Sequence, residues 1–172
     1  MNKWVRKYVW ALMGVLAMLS APTFAGGECR DLLRPLLLQE LPDAGKLAYA
    51  KEVCRTEVES GDPDAEYQLA LFYLGLTDWD VDKAIPLIMS AAQSGIPEAQ
   101  YWLAWQYDEG PLLAGDVALA RRWYERAGEN EHRLALQRLA DAYERGDLGL
   151  PVDGRKASVL RAKAAKCKND AG

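Results

Sequence analysis

Few residues in this 172-residue chain have types and spacings that could support catalysis or metal binding. His132 is the only histidine, and no cysteine or carboxylate lies at metal-ligand spacing from it on the same helical face. We expect His132 to be solvated or to cap a helix. Asp78, Asp80 and Asp82 alternate as in a calcium-binding loop, but the glycine and the bidentate glutamate of such a loop are missing. The sequence predicts no catalytic residue, no metal site, no cofactor and no enzymatic activity.

The cysteines are the remaining reactive side chains. Cys29 and Cys54 lie at nearly equal distances from the segment LPDAG, residues 41–45, so a helical hairpin turning there would place the two thiols side by side. We expect a disulfide between them, which would stabilise the fold by about 3 kcal/mol in the chain-entropy model. Cys167 is then the odd cysteine. A half-buried position in the last helix is expected for it instead of a redox role, because no CxxC partner lies nearby.

The first 25 residues have the organisation of a secretory signal peptide. Lys3, Arg6 and Lys7 precede a short apolar run at 9–19, and small residues follow up to Ala25. The apolar run is too short for a comfortable membrane span. We therefore expect cleavage near Ala25, a periplasmic or secreted mature chain, and no stable membrane insertion after cleavage.

The charge balance also limits the possible partners. Cleavage would remove three of the 21 basic residues and none of the 25 acidic ones, which leaves 18 basic residues and a formal net charge of −7. Such a surface repels phosphate groups and offers no polybasic anchor for anionic lipid. Nucleic acid is therefore not an expected partner.

One sequence pattern recurs three times, at spacings of 34 and then 36 residues. An alanine is followed by leucine at +4, alanine at +5 and tyrosine at +8, and these offsets place the four side chains on one face of a helix. The copies begin at Ala65, Ala99 and Ala135. The pattern predicts the first helix of each of three repeat units.

A second helix is predicted in each unit after an aspartate. Asp80, Asp116 and Asp153 occupy positions where the carboxylate would accept hydrogen bonds from the first free helical amides. The expected inward positions of these helices are Ala84, Leu87 and Ala91; Ala120, Trp123 and Ala127; and Ala157, Leu160 and Ala164.

Two-helix units at this period are typical of an α-solenoid, in which units bury their faces only by stacking. A degenerate pair is expected before them, with a first helix from Arg30 to Leu41 and a second helix containing Ala50 and Val53. We predict an all-α fold of about four antiparallel pairs, eight helices in total. The expected divisions are a signal peptide at 1–25, the degenerate pair at 26–59, the repeats at 60–168 and a disordered tail at 169–172.

The combined pattern resembles the Sel-one-like repeat family, a branch of the tetratricopeptide-type helical repeats. It consists of A-x-x-x-L-A/G-x-x-Y, a glycine-containing loop, D-x-x-K-A, an aromatic residue and A-A. The resemblance covers about 60–168 well and 29–59 weakly. Gln137 departs from it, because Tyr67 and Tyr101 occupy the equivalent positions.

The resemblance implies an adaptor. We expect an exported module that binds a protein or peptide in the bacterial cell envelope as an assembly factor, regulator or adaptor. One alternative is an immunity protein that neutralises a phospholipase-type toxin, and another is a small periplasmic hydrolase.

In helical-repeat solenoids the first helices line the concave side, so their remaining positions are the expected partner surface. Trp105 and Tyr101 are the proposed anchors, while Trp102 either joins them or packs between repeats. Trp123 falls on the stacking register and is expected in the core. Asp108, Asp141 and Glu144 would form an acidic rim that favours basic partners. The predicted partner-binding residues are Tyr67, Leu71, Tyr101, Trp102, Trp105, Asp108, Arg138 and Asp141.

Overall fold

The computed structural model describes residues 27–167. Within them the chain forms eight α-helices, and the only β pairing is an isolated bridge between Leu74 and Trp79. The helices are α1 (Glu28–Leu37), α2 (Ala44–Glu59), α3 (Pro63–Tyr73), α4 (Val81–Gln93), α5 (Pro97–Asp108), α6 (Val117–Glu129), α7 (Arg133–Arg145) and α8 (Gly154–Lys166). The predicted all-α fold with eight helices is confirmed. The expected signal peptide and tail lie outside the described residues.

Side chains just before the helices fix where several of them begin. Asp80, Asp116 and Asp153 each accept a hydrogen bond from a backbone amide two or three residues further on, as predicted for N-caps. His132 does the same for α7, because its Nδ1 accepts from the amide of Ala135 at 3.3 Å. The expected capping role of His132 is confirmed.

The helices pack in chain order, each against the next, and α1 also contacts α3. Three hydrophobic clusters result, and each combines one helix pair with the first helix of the next pair. The N-terminal cluster contains Cys29, Leu33, Leu36, Leu47, Ala50, Cys54, Ala65, Leu69 and Phe72. The middle cluster contains Ala70, Ala84, Ile88, Ala91, Ala92, Ala99 and Leu103. The C-terminal cluster contains Ala104, Ala120, Tyr124, Ala127, Ala135, Leu139, Ala142 and Leu148. The stacking of neighbouring units therefore builds the core.

The predicted inward register of the second helices is partly wrong. Ile88 and Tyr124 are the large side chains that are fully buried, at 0% and 1% exposure. The predicted Leu87 and Trp123, one position earlier, are half-buried and each pack against two clusters. The difference arises because the earlier position faces the boundary between adjacent repeats, while the later one faces the interior.

Two buried features hold α1 against α2. A disulfide joins Cys29 and Cys54, whose side chains are 0% exposed, so the predicted pairing is present. Gly27, at the N-cap of α1, has no side chain to accept from the helix. The Glu57 carboxylate of α2, 1% exposed, instead accepts from the amides of Glu28 and Cys29 at 3.0 and 3.2 Å.

Helix α1 is shorter than the predicted Arg30–Leu41. It ends at Leu37, and Leu38 and Leu41 are 84% and 91% exposed in the connection to α2. Pro42 disfavours a helical conformation at the residue before it, and Asp43 already caps α2. The leucines after Leu37 are therefore in the turn.

Candidate functional site

The predicted partner surface lies on α3, α5 and α7, at equivalent positions in the first helices of three successive repeats. Residues seven apart, two turns, share one face of a helix. We call one such set of positions the first-helix strip. It consists of Asp64 and Leu71 on α3, Glu98 and Trp105 on α5, and Leu134 and Asp141 on α7. Two of its apolar side chains, Trp105 and Leu134, are 40% and 43% exposed, whereas the third, Leu71, is half-buried against the N-terminal cluster.

Trp105 stands at the centre of this strip and belongs to none of the three clusters. Trp102, on the same helix, is half-buried and packs against the middle cluster. Of the two alternatives open for Trp102, packing between repeats is the one observed. Trp105 is left as a large exposed aromatic side chain, the type most enriched among the anchors of protein interfaces.

The two tyrosines expected on the surface pack between repeats. Tyr67 packs against the middle cluster, and burial raises the pKa of its hydroxyl to about 12. Tyr101 stacks on His132 with ring centroids 4.4 Å apart and approaches Tyr124 at 5.9 Å. Burial lowers the pKa of His132 to about 4, with Arg133 adding to the shift. These rings join the second repeat to the third.

Asp108 and Arg138 bind each other across the same boundary. Arg138 donates from Nε and Nη2 to the two Asp108 oxygens at 2.8 and 3.2 Å, and the Tyr124 hydroxyl donates to Asp108 at 3.2 Å. Arg138 also pairs with Asp147. The Arg138 and Asp108 side chains are only 17% and 10% exposed. Their first role is therefore to join α5 to α7.

The other two carboxylates of the expected acidic rim also have an arginine partner. Arg161 of α8 pairs with both Asp141 and Glu144. These bonds lower the pKa of Glu144. The three carboxylates are therefore paired, but two arginines face four carboxylates once Asp147 is counted, so this region keeps a net negative charge. The acidic rim of Asp108, Asp141 and Glu144 stays a prediction.

Further negative charge lies at the start of the strip, on Asp64 and Glu98. Asp64 pairs with Arg30, and burial raises the pKa of Asp64 against that pairing. Glu98, on the next repeat, forms no ion pair within residues 27–167, and its buried Oε2 has no hydrogen-bond partner among them. Sequence reasoning missed Glu98 and Leu134. The helical spacing could have identified them. Glu98 lies two turns before Trp105 and Leu134 two turns before Asp141, and both of these later residues were predicted to bind the partner.

The other reactive side chains considered from the sequence are metal-ligand types and the third cysteine. No group of three or more His, Cys, Asp and Glu side chains there could hold a metal ion. Cys167 is a half-buried free thiol, as expected, although it follows α8 instead of lying in it. Among the helices of residues 27–167, none is long and apolar enough to cross a membrane.

Comparison with known proteins agrees with this geometry. A family model described as Sel1 repeat matches residues 63–95, 97–132 and 133–169, which correspond to the last three helix pairs. Among curated proteins, the chitin synthase regulator SKT5 of Saccharomyces cerevisiae is 32% identical over 77 residues. That match covers 45% of this chain but only 10% of the yeast protein.

Two solved structures have a similar fold. One is the Sel1 repeat protein from Oxalobacter formigenes, with a TM-score of 0.59 and 29% identity, over 66% of this chain and 88% of that one. The other is c5321, a protective antigen present in uropathogenic Escherichia coli strains and displaying an SLR fold. Its TM-score is 0.65 and its identity 31%, over 83% of this chain and 31% of that one.

Proposed function

The chain belongs to the Sel1 repeat family, and from this premise we propose that it is an exported module that binds a protein partner along the first-helix strip. Sel1 repeat proteins bind protein partners. The partner proposed here is a component of the bacterial cell envelope, and binding, not catalysis, is the activity.

The exposure of Trp105 is the observation that carries this proposal. The other tryptophan of α5, Trp102, is packed against the middle cluster, whereas Trp105 is 40% exposed at the centre of the strip. Leu134 on α7 adds a second exposed apolar side chain. Docking of a partner would remove both side chains from water, which is favourable by the hydrophobic effect.

The charge of the strip favours a basic partner. Glu98 lies two turns before Trp105 on α5 and has no cation within ion-pairing distance among the described residues. A lysine or arginine of the partner could pair with Glu98 through Oε1, since Oε2 is the buried oxygen, while a neighbouring apolar side chain covers Trp105. The basic partner expected from the sequence is kept, and Glu98 adds to the predicted rim of Asp108, Asp141 and Glu144 as a source of negative charge.

Export is supported by the buried disulfide. Disulfides persist in oxidising compartments such as the periplasm and are rare where thiols are kept reduced. Amino-terminal sequencing of protein released by osmotic shock tests this part of the proposal, and we expect a mature chain that begins near Gly26.

Partner binding is tested by co-purification from envelope extracts with Trp105→Ala. We expect a protein retained by the wild-type chain to lose affinity by at least about tenfold, because Trp105 is the central anchor. Val159→Ala is the matched control, since Val159 is 67% exposed on α8 and outside the strip. Equal retention by the Trp105 variant, with an unchanged circular dichroism spectrum, would show that binding occurs elsewhere.

A further inference from the structure

We propose that the partner also carries an acidic segment, which binds in a groove between α7 and α8 beside the strip. This inference rests on the proposed function and specifies the partner's chemistry. We call this the C-terminal groove. It has a volume of about 690 Å³ and is lined by Arg133, Gln137, Asp141, Arg161, Ala164, Ala165, Lys166 and Cys167. Asp141 belongs to both surfaces, so the groove continues the strip.

The groove occupies the place where a further repeat would pack, but its residues do not suit one. Gln137 is equivalent to Tyr67 and Tyr101, which pack against the following repeat. Arg161, eight residues after its N-cap, is equivalent to the buried Ile88 and Tyr124. An arginine there would have to be desolvated under a stacked apolar helix, which is costly. The groove is therefore suited to a polar occupant.

Two cations in the groove determine the charge of that occupant. Arg161 is neutralised by Asp141 and Glu144, but neither Arg133 nor Lys166 takes part in an ion pair within residues 27–167. Both line the groove. Carboxylate groups of the partner would supply the missing counter-charge.

The charge distribution along the molecule points the same way. Residues 27–113, which contain α1–α5, have 6 basic and 16 acidic side chains, whereas residues 114–167, which contain α6–α8, have 11 basic and 8 acidic ones. A partner segment lying along the strip therefore passes from a negative to a positive region. Electrostatic complementarity of this kind fixes orientation and register.

The distance between the two regions sets the length of the segment. Helices α7 and α8 pack directly, about 8–10 Å apart, and α5 is linked to α7 through the Asp108 and Arg138 side chains. The groove therefore lies about 10–20 Å from α5. An extended chain covers about 3.3 Å per residue, which corresponds to about three to six residues between basic and acidic groups.

Labelled synthetic peptides provide the test by fluorescence anisotropy. The core peptide carries two lysines beside a leucine and a tryptophan. Extended versions add four neutral residues followed by two glutamates, and the control extension ends in two glutamines. Each extension is placed at the amino end in one peptide and at the carboxyl end in another, so that both chain directions are tested. We expect the glutamate extension in one direction to tighten binding about three- to tenfold over the glutamine one, as two exposed ion pairs would.

Matched protein variants show where the glutamate extension binds. The double variant Arg133→Glu, Lys166→Glu should abolish the gain in affinity from the glutamate extension and leave binding of the core peptide nearly unchanged. The control variant Arg122→Glu, Arg155→Glu changes the net charge by the same amount at exposed positions outside the groove. It should retain the gain in affinity from the glutamate extension. If the core peptide binds but glutamate and glutamine extensions bind equally, the acidic segment is refuted while the strip proposal stands. If the core peptide does not bind, both proposals fail.

Other occupants of the groove would give different results. If residues 168–172 filled the groove, the full chain would bind the glutamate and glutamine peptides equally. A chain ending at Cys167 would then bind the glutamate peptide more tightly than the full chain does. If the acidic half of a second copy filled the groove, the wild-type chain would sediment as a dimer and the Arg133→Glu, Lys166→Glu variant as a monomer. Either result would overturn the inference.

Discussion

In the first helix pair, α1 is joined to α2 by the buried Cys29–Cys54 disulfide and by the Glu57 carboxylate, which is 1% exposed. In the last pair, α8 is joined to α7 by Arg161, whose side chain is 46% exposed. Each pair has a neighbour on one side only among the described helices. The first pair compensates with covalent and buried polar contacts, and the last with ion pairs in contact with water. Redox conditions should therefore affect the first pair, and salt the last.

The largest effect is expected from removal of the disulfide. Cys29→Ser with Cys54→Ser should lower the free energy of unfolding by about 3 kcal/mol, because the unfolded chain loses a loop constraint. Urea denaturation followed by circular dichroism measures this. Wild-type protein under reducing conditions should match the double variant, whereas Cys167→Ser should match the oxidised wild type. An unchanged midpoint in the double variant would mean that packing alone holds α1.

A smaller loss is expected from the ion pair between the second and third repeats. Arg138→Met leaves Asp108, 10% exposed, without its main partner, and should cost about 2 kcal/mol. Adding Asp108→Asn should recover part of that loss, since the uncompensated charge is removed. Urea midpoints of the wild type and the two variants form the comparison. A double variant less stable than Arg138→Met would contradict the assignment.

The sequence predicted what depends on neighbours along the chain. The N-cap aspartates and the repeated alanines follow from spacing within one helix, and their structural roles are confirmed. Contacts between helices were not predictable in this way, because Glu57 binds amides 28 and 29 residues away and Arg138 binds a carboxylate 30 residues away. The position of Trp105 followed from the register alone, but its exposure depends on which side chains the neighbouring repeats cover.

Acid should weaken the boundary between the second and third repeats through His132. Its pKa is about 4 in the folded protein and about 6.5 in the unfolded chain, so the unfolded state binds more protons between these values. The stability that neutral His132 contributes is complete above pH 6.5 and is lost as the pH falls towards 4. After allowance for partial exposure we expect about 1 kcal/mol. His132→Asn keeps a capping side chain without titrating. The difference in unfolding free energy between wild type and variant should change by this amount between pH 7 and pH 4, and parallel curves would contradict it.

The smallest effect is expected at Arg161, where it sharpens the contrast between the two pairs. Arg161→Gln removes both ion pairs of α8 with α7. Because these charges are exposed, the loss should be detectable only at low ionic strength and should vanish near 1 M NaCl, where the Debye length is about 3 Å. Arg122→Gln, an exposed arginine outside these pairs, controls for net charge. The disulfide variant should show the same deficit at both salt concentrations, because loop closure does not depend on screening. If salt changed both deficits equally, the two pairs would not be stabilised by different physical means.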